Sequence, residues 1–158
     1  MSNIALVGNP NVGKSAVFNA LTGLNQSTGN YPGVTIDRKR GRVHTGEGNP
    51  PLTLVDLPGV YSLAAHAPDE MIVVDVLLDQ QRGEHEIDGL LVVLTPQSMT
   101  DPTATAEELV KLKDLKGKPV LASWMGGSGM AHGETLLNNN NIPTFSYPDD
   151  AARVFNYM

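Results

Sequence analysis

A three-layer α/β/α sandwich on a mostly parallel sheet is the fold this chain predicts, and three observations predict it. Short strand-like runs recur at Ile4–Val7, Leu52–Val55, Leu90–Leu94, Val120–Ser123 and Ile142–Phe145. Helical patterns lie between them, the alternation that parallel strands joined by crossover helices require. Between the first run and the first helical pattern stands Gly8-Asn9-Pro10-Asn11-Val12-Gly13-Lys14-Ser15, a complete G-x-x-x-x-G-K-[ST] loop in the strand-to-helix setting its physics needs. The 158 residues suit a single domain, residues 1–158. At that size a chain buries roughly 70% of its unfolded surface and needs no staples.

Taken in order, Ile4–Val7 is the strand that leads into the loop, and Lys14–Thr22 is a helix carrying Ala16, Val17, Phe18, Ala20 and Leu21, stopped by Gly23. A strand over Thr35–His44 turns back at Gly46-Glu47-Gly48-Asn49-Pro50-Pro51 into Leu52–Val55. A glycine-rich turn that short makes the two strands antiparallel neighbours. A helix over Asp69–Asp79 is followed by the polar, unpatterned loop Gln80–Glu86. Further helices are predicted over Ala104–Lys116, Gly133–Leu137 and Asp149–Tyr157, with acids or prolines near helix starts as the helix dipole favours. Asn138–Asn141 reads as a helix end, because asparagine tolerates the left-handed conformation that stops helices. The sum is a six-stranded sheet with one antiparallel strand.

Composition excludes several function classes. With no cysteine there is no disulfide framework, thiolate metal site or thiol nucleophile, and no targeting signal precedes the first strand, so a cytoplasmic protein is expected. The longest apolar run, Leu90–Leu94, is far short of the roughly 20 residues that span a bilayer, so no membrane insertion is expected. A net charge of −6 disfavours nucleic acid, and the basic cluster Arg38-Lys39-Arg40 with Arg42 reads as a solvated strand face. The four histidines, His44, His66, His85 and His132, are scattered, which argues against a metal site. Neither Ser98 nor Ser128 has a base at a spacing that suggests activation. Trp124 and Met125 are expected to line the core or a base pocket.

The chemistry concentrates in the loop. Gly8, Asn9, Asn11, Val12, Gly13, Lys14, Ser15 and Ala16 are the candidate phosphate cradle. The glycines let successive backbone N–H groups turn inward, Lys14 reaches the β- and γ-phosphates, and the Ser15 hydroxyl ligates Mg²⁺. A second motif, Asp56-Leu57-Pro58-Gly59, follows Leu52–Val55 and so emerges at a strand's carboxyl end, where open α/β sheets gather ligand groups. Asp56 is expected to hold Mg²⁺ through water, and Gly59 to give a backbone N–H to a γ-phosphate. The Thr35 hydroxyl, in Tyr31-Pro32-Gly33-Val34-Thr35, would complete the metal shell.

These residues, with Phe18-Asn19-Ala20-Leu21-Thr22-Gly23, Gly29-Asn30-Tyr31-Pro32-Gly33-Val34-Thr35, Leu54-Val55-Asp56-Leu57-Pro58-Gly59-Val60-Tyr61-Ser62-Leu63 and Asp69-Glu70, resemble the N-terminal G domain of the FeoB ferrous-iron transporters over residues 1–80. The resemblance implies a Ras-like, Mg²⁺-dependent GTPase, with Gly33–Thr35 in switch I and Asp56–Gly59 opening switch II. It also implies that Asn11 helps hold a K⁺ in place of an arginine finger. Asn11, Lys14, Thr35 and Gly59 are then the candidate catalytic residues. The residue after Gly59 is the apolar Val60, so no glutamine there orients the attacking water, and hydrolysis is expected to be slow or absent.

The resemblance breaks where guanine would be read. A guanine-specific GTPase carries Asn-Lys-x-Asp after its fifth strand; here Met125 and Ser128 stand at the Asn and Asp positions, and neither replaces the bidentate acceptor. Base selectivity should fall and affinity rest on the phosphates. From Asp88 to Ala106, over Lys118–Gly127, and at Ile142–Phe145 and Asp150–Arg153, the chain is similar instead to a flavodoxin-like subdomain of the ADP-forming acyl-CoA synthetase and succinyl-CoA ligase superfamily. The simplest explanation is an engineered chimera joining residues 1–80 of one α/β parent to residues 86–158 of another, with the Ras-like strand order 2-3-1-4-5-6. The sequence thus predicts a nucleotide-binding domain for GDP or GTP with Mg²⁺ and K⁺ as candidate ions. The alternatives are a slow K⁺-stimulated GTPase, a folded scaffold with no ligand, and an acyl-CoA-handling module.

Overall fold

The computed structural model describes residues 2–23, 26–30, 37–43, 51–60, 87–96, 101–113 and 117–155. In chain order its elements are β1 (Ser2–Gly8), α1 (Lys14–Thr22), β2 (Gln26–Asn30), β3 (Asp37–Val43), β4 (Leu52–Asp56), β5 (Gly89–Leu94), α2 (Pro102–Leu112), β6 (Val120–Trp124), a 3₁₀ turn at Ser128–Met130, α3 (Ala131–Asn139), β7 (Thr144–Phe145) and α4 (Pro148–Val154). All seven strands belong to one sheet, in the order β2-β3-β4-β1-β5-β6-β7.

The predicted order is present from β3 to β7. β1 runs parallel to β4 and β5, β5 to β6, and β6 to β7, while β3 is antiparallel to both its neighbours. β3 is therefore the one reversed strand, as expected. The six-strand expectation needs one correction: β2 adds an edge strand, its ladder on β3 running from Gln26↔Gly41 to Asn30↔Asp37. Its sequence, Gln-Ser-Thr-Gly-Asn, carries no apolar run and so gave no strand signal.

Burial follows the period-2 alternation of strands. On one face Ala5, Val7, Val55, Leu90, Val92, Leu94, Val120, Ala122 and Trp124 pack with Ala106 and Leu109 of α2 and Leu137 of α3. On the other, Ile4, Leu6, Leu52, Leu54, Leu91, Val93 and Leu121 pack with Phe18 of α1 and Ala151 and Ala152 of α4. These are the three layers. With both faces covered, every residue of β4, β5 and β6 is buried, which is why those strands read as continuous apolar runs.

Several boundaries shift for local reasons. α2 starts at Pro102, ahead of the expected Ala104, because the Asp101 carboxylate accepts from the Thr103 and Ala104 N–H groups at 2.8 and 3.2 Å and proline at the first turn has no N–H to leave unpaired. β7 is shorter than Ile142–Phe145: the Ile142 N–H donates to the Leu137 carbonyl at 3.0 Å and so closes α3. The Pro143 carbonyl then opens the β6 ladder by accepting from the Ala122 N–H at 3.0 Å. All of the predicted turn Gly46–Pro51 but its last residue, the helix Asp69–Asp79 and the loop Gln80–Glu86 lie outside the described residues.

Candidate phosphate-binding site

β1 delivers the loop at the carboxyl edge of the sheet. Its last residue, Gly8, pairs with Val93 of β5, and a Cβ there would sit 2.4 Å from the Val93 carbonyl oxygen. Only glycine lets the backbone leave the sheet at this point. Gly8→Ala is expected to cost about 1–3 kcal/mol, since a neighbouring strand's carbonyl cannot swing aside, and differential scanning calorimetry should show a midpoint several degrees lower.

Past Gly8 the loop turns on two left-handed residues, Asn11 at φ 64° and Gly13 at φ 79°. Asparagine and glycine are the residues that adopt this conformation readily, and αR–αL alternation is the backbone form from which anion-binding nests are made. α1 follows with its first intrahelical bond from the Val17 N–H to the Gly13 carbonyl at 2.9 Å. No side chain caps this helix start and no acid lies in its first turn. The positive end of the helix dipole at Lys14, Ser15 and Ala16 is thus left for an external anion. Asn9 and Val12 are buried and anchor the loop, while Asn11, Ser15 and Ala16 are exposed on it.

The second motif runs alongside. Asp56 ends β4 in register with Leu6 of β1, and the Leu57 N–H donates to the Leu6 carbonyl at 3.1 Å. The Val60 N–H donates to the Gly8 carbonyl, also at 3.1 Å. A Cβ on Gly59 would lie 3.0 Å from Pro10 Cα, so this glycine is pressed against the loop itself. The Lys14 ammonium bridges the two motifs: it pairs with Asp56 Oδ1 at 2.5 Å, both side chains only 11% exposed, and donates to the Leu57 carbonyl. The structure therefore brings Lys14, Asp56 and Gly59 together around the loop. Thr35 lies outside the described residues. The Leu57 carbonyl is a contact the sequence does not mark, because every residue carries the same backbone acceptor.

At the end of β6 the expected residues separate. Trp124 is buried on the α2–α3 face with its indole N–H unpartnered, so it belongs to the core. Met125 is half-buried against the α1–α4 cluster, with its N–H on the Leu94 carbonyl at 3.0 Å. Ser128 is exposed at the start of the 3₁₀ turn. His132 is exposed in the first turn of α3, and among the described residues no group of three or more acids or histidines could hold a metal. Among the described residues, the groups beside the loop that could ligate a cation include the Ser15 hydroxyl and the Asp56 carboxylate. Ser98 lies outside the described residues.

Among known proteins, the FeoB of Leptospira biflexa is 38% identical over 159 residues, covering 86% of this chain and 23% of that protein. The FeoB of Methanocaldococcus jannaschii is 53% identical over 79 residues, covering 49% of this chain and 11% of its own length. The chain thus spans less than a quarter of these curated relatives. A crystal structure of a GDP-bound variant of the S. thermophilus FeoB G-domain is 30% identical and superposes with a TM-score of 0.68, covering 99% of this chain and 60% of that one. Among the described residues no helix is long and apolar enough to cross a membrane. The FeoB_N profile, Ferrous iron transport protein B, matches residues 2–102, which include the loop and the Asp56–Gly59 motif that the fold brings together, and the chain belongs to that family.

Proposed function

We propose that the chain binds GDP or GTP by the phosphates, with Mg²⁺, reduced guanine selectivity and little or no hydrolysis. The observation that carries this reading is the Lys14 ammonium held beside Asp56 at the mouth of an uncapped, acid-free helix start. Gly8, Asn9, Asn11, Val12, Gly13, Lys14, Ser15 and Ala16 form the cradle, with Lys14 turning to the β- and γ-phosphates. The Ser15 hydroxyl and Asp56 carboxylate are hard oxygen donors, one exposed on the loop and one beside it, and this set suits Mg²⁺, with Thr35 as the third protein group. Bound there, Mg²⁺ would neutralise phosphate charge. The GDP-bound FeoB G-domain with which the chain superposes supports the choice of ligand. A cytoplasmic setting follows from where such nucleotides are available.

Weak hydrolysis is supported by Val60. It follows Gly59, its side chain is 5% exposed, and its N–H is tied to the Gly8 carbonyl, so it offers nothing to orient a water. The second reading, a slow GTPase with Asn11 holding K⁺ and Gly59 and Thr35 on the γ-phosphate, is favoured by the exposed, left-handed Asn11. Phosphate release from GTP, followed in KCl and in NaCl, separates the two. We expect no rate above the uncatalysed background in either salt; release stimulated by K⁺ would establish the GTPase.

Residues 1–158 act as one domain in this reading, since one sheet runs through both halves. The joined-parents origin draws support from the higher identity to the M. jannaschii relative over a half-length match and from the missing guanine motif after β6. A single FeoB-derived lineage draws support from the L. biflexa likeness over 86% of the chain. Either origin leaves the phosphate loop and its partners on the first half.

A further inference from the structure

Among the described residues Tyr147 is the one large apolar side chain that stands mostly in solvent, at 64% exposed. It occupies the N-cap of α4 in extended conformation and makes no side-chain capping bond, although Ser, Thr, Asp or Asn is favoured at such a position. Neither core packing nor capping accounts for an aromatic ring here. Its place in the fold does.

Gly8, Val93, Ser123 and Phe145 are successive register partners across β1, β5, β6 and β7. Tyr147, two residues beyond Phe145, therefore leaves the sheet on the same edge as the phosphate loop. Gly8 and Phe145 are three strand spacings apart, roughly 14 Å. That separation suits a nucleotide laid out from its phosphates to its base. The helix that the loop opens and the helix that Tyr147 caps are also neighbours: α1 and α4 pack together over one cluster, and Met125 and Phe145 lie partly buried against the same cluster. The segment after β6 offers Met125, Gly126, Gly127 and the exposed Ser128, whose single hydroxyl cannot act as the bidentate acceptor that reads guanine.

We propose that Tyr147 stacks on the base of the bound nucleotide and makes this a base-tolerant purine site. The inference rests on the phosphate-binding reading above. Stacking supplies affinity without choosing between bases, because every base presents a π face.

The test compares GDP, ADP and inorganic pyrophosphate by calorimetry with Mg²⁺, in the unmodified chain and in Tyr147→Ala, Tyr147→Phe and Lys14→Ala. Tyr147→Ala should weaken GDP and ADP equally, by about tenfold, leave pyrophosphate unchanged, and be rescued by Tyr147→Phe. Being exposed, Tyr147 can be replaced without disturbing the core. Unchanged affinity for both nucleotides in Tyr147→Ala, an effect on one base alone, or an equal loss of pyrophosphate binding would each overturn the stacking role. If Lys14→Ala abolishes binding while Tyr147→Ala does nothing, only the stacking inference falls. If Lys14→Ala binds as the unmodified chain does, the phosphate reading falls with it.

Discussion

Lys14→Ala is expected to remove detectable GDP and GTP binding. In the structure this ammonium is nine-tenths buried between the loop and the Asp56 motif, donating to a carboxylate and a carbonyl. A cation so placed meets a phosphate with little water between them, where truncating one partner of a hydrogen-bonded charge pair costs about 2–5 kcal/mol. In affinity that is a loss from about thirtyfold to several-thousandfold. In the proposed reading the base adds few hydrogen bonds, so little remains to compensate. Calorimetry on the purified variant measures it, and affinity within a few-fold of the unmodified chain would show that the loop does not hold phosphates.

Asp56→Ala is expected to produce the largest loss of stability. It strands the Lys14 ammonium, 11% exposed, with the Leu57 carbonyl and no carboxylate. Breaking a buried ion pair from one side costs about 3–5 kcal/mol, because the remaining charge stays desolvated. For a domain near this length each kcal/mol shifts the midpoint by about 2–4 °C, so thermal unfolding should fall by about 6–20 °C. Asp56→Asn keeps the shape and a hydrogen-bond acceptor and should recover part of that. If Asp56 holds Mg²⁺ as proposed, both variants should lack the additional thermal stabilisation that Mg²⁺ would give with GDP, since a ligand stabilises only through the state it binds. A midpoint unchanged in Asp56→Ala would contradict the buried pair.

The buried framework was legible because fully covered parallel strands must be apolar throughout. β1, β4, β5 and β6 announce themselves as runs, and α1 is legible at its full extent from Lys14 to Thr22 because a loop glycine and Gly23 bracket it. The edge was not legible. β2 holds its place by backbone pairing with β3, and a sequence such as Gln-Ser-Thr-Gly-Asn leaves no apolar trace of that. At the site, the motifs named Lys14, Ser15, Asp56 and Gly59 through their chemistry. They did not disclose that Gly59 lies on Pro10, or that Lys14 reaches the Leu57 carbonyl, because those contacts depend on how β1 and β4 are aligned. Tyr147 carries no sequence signal for another reason: an aromatic before a proline is ordinary in sequence, and only its exposure and its place at the sheet edge set it apart.

The most direct measurement is a calorimetric titration of the unmodified chain with GDP and with ADP, both with Mg²⁺. The account predicts that both bind, with affinities within about tenfold of each other, since a site lacking base hydrogen-bond partners cannot reach the roughly 10⁴-fold discrimination that such partners provide. Binding of neither nucleotide would contradict the phosphate site, and GDP binding thousands of times tighter than ADP would contradict the loss of guanine recognition.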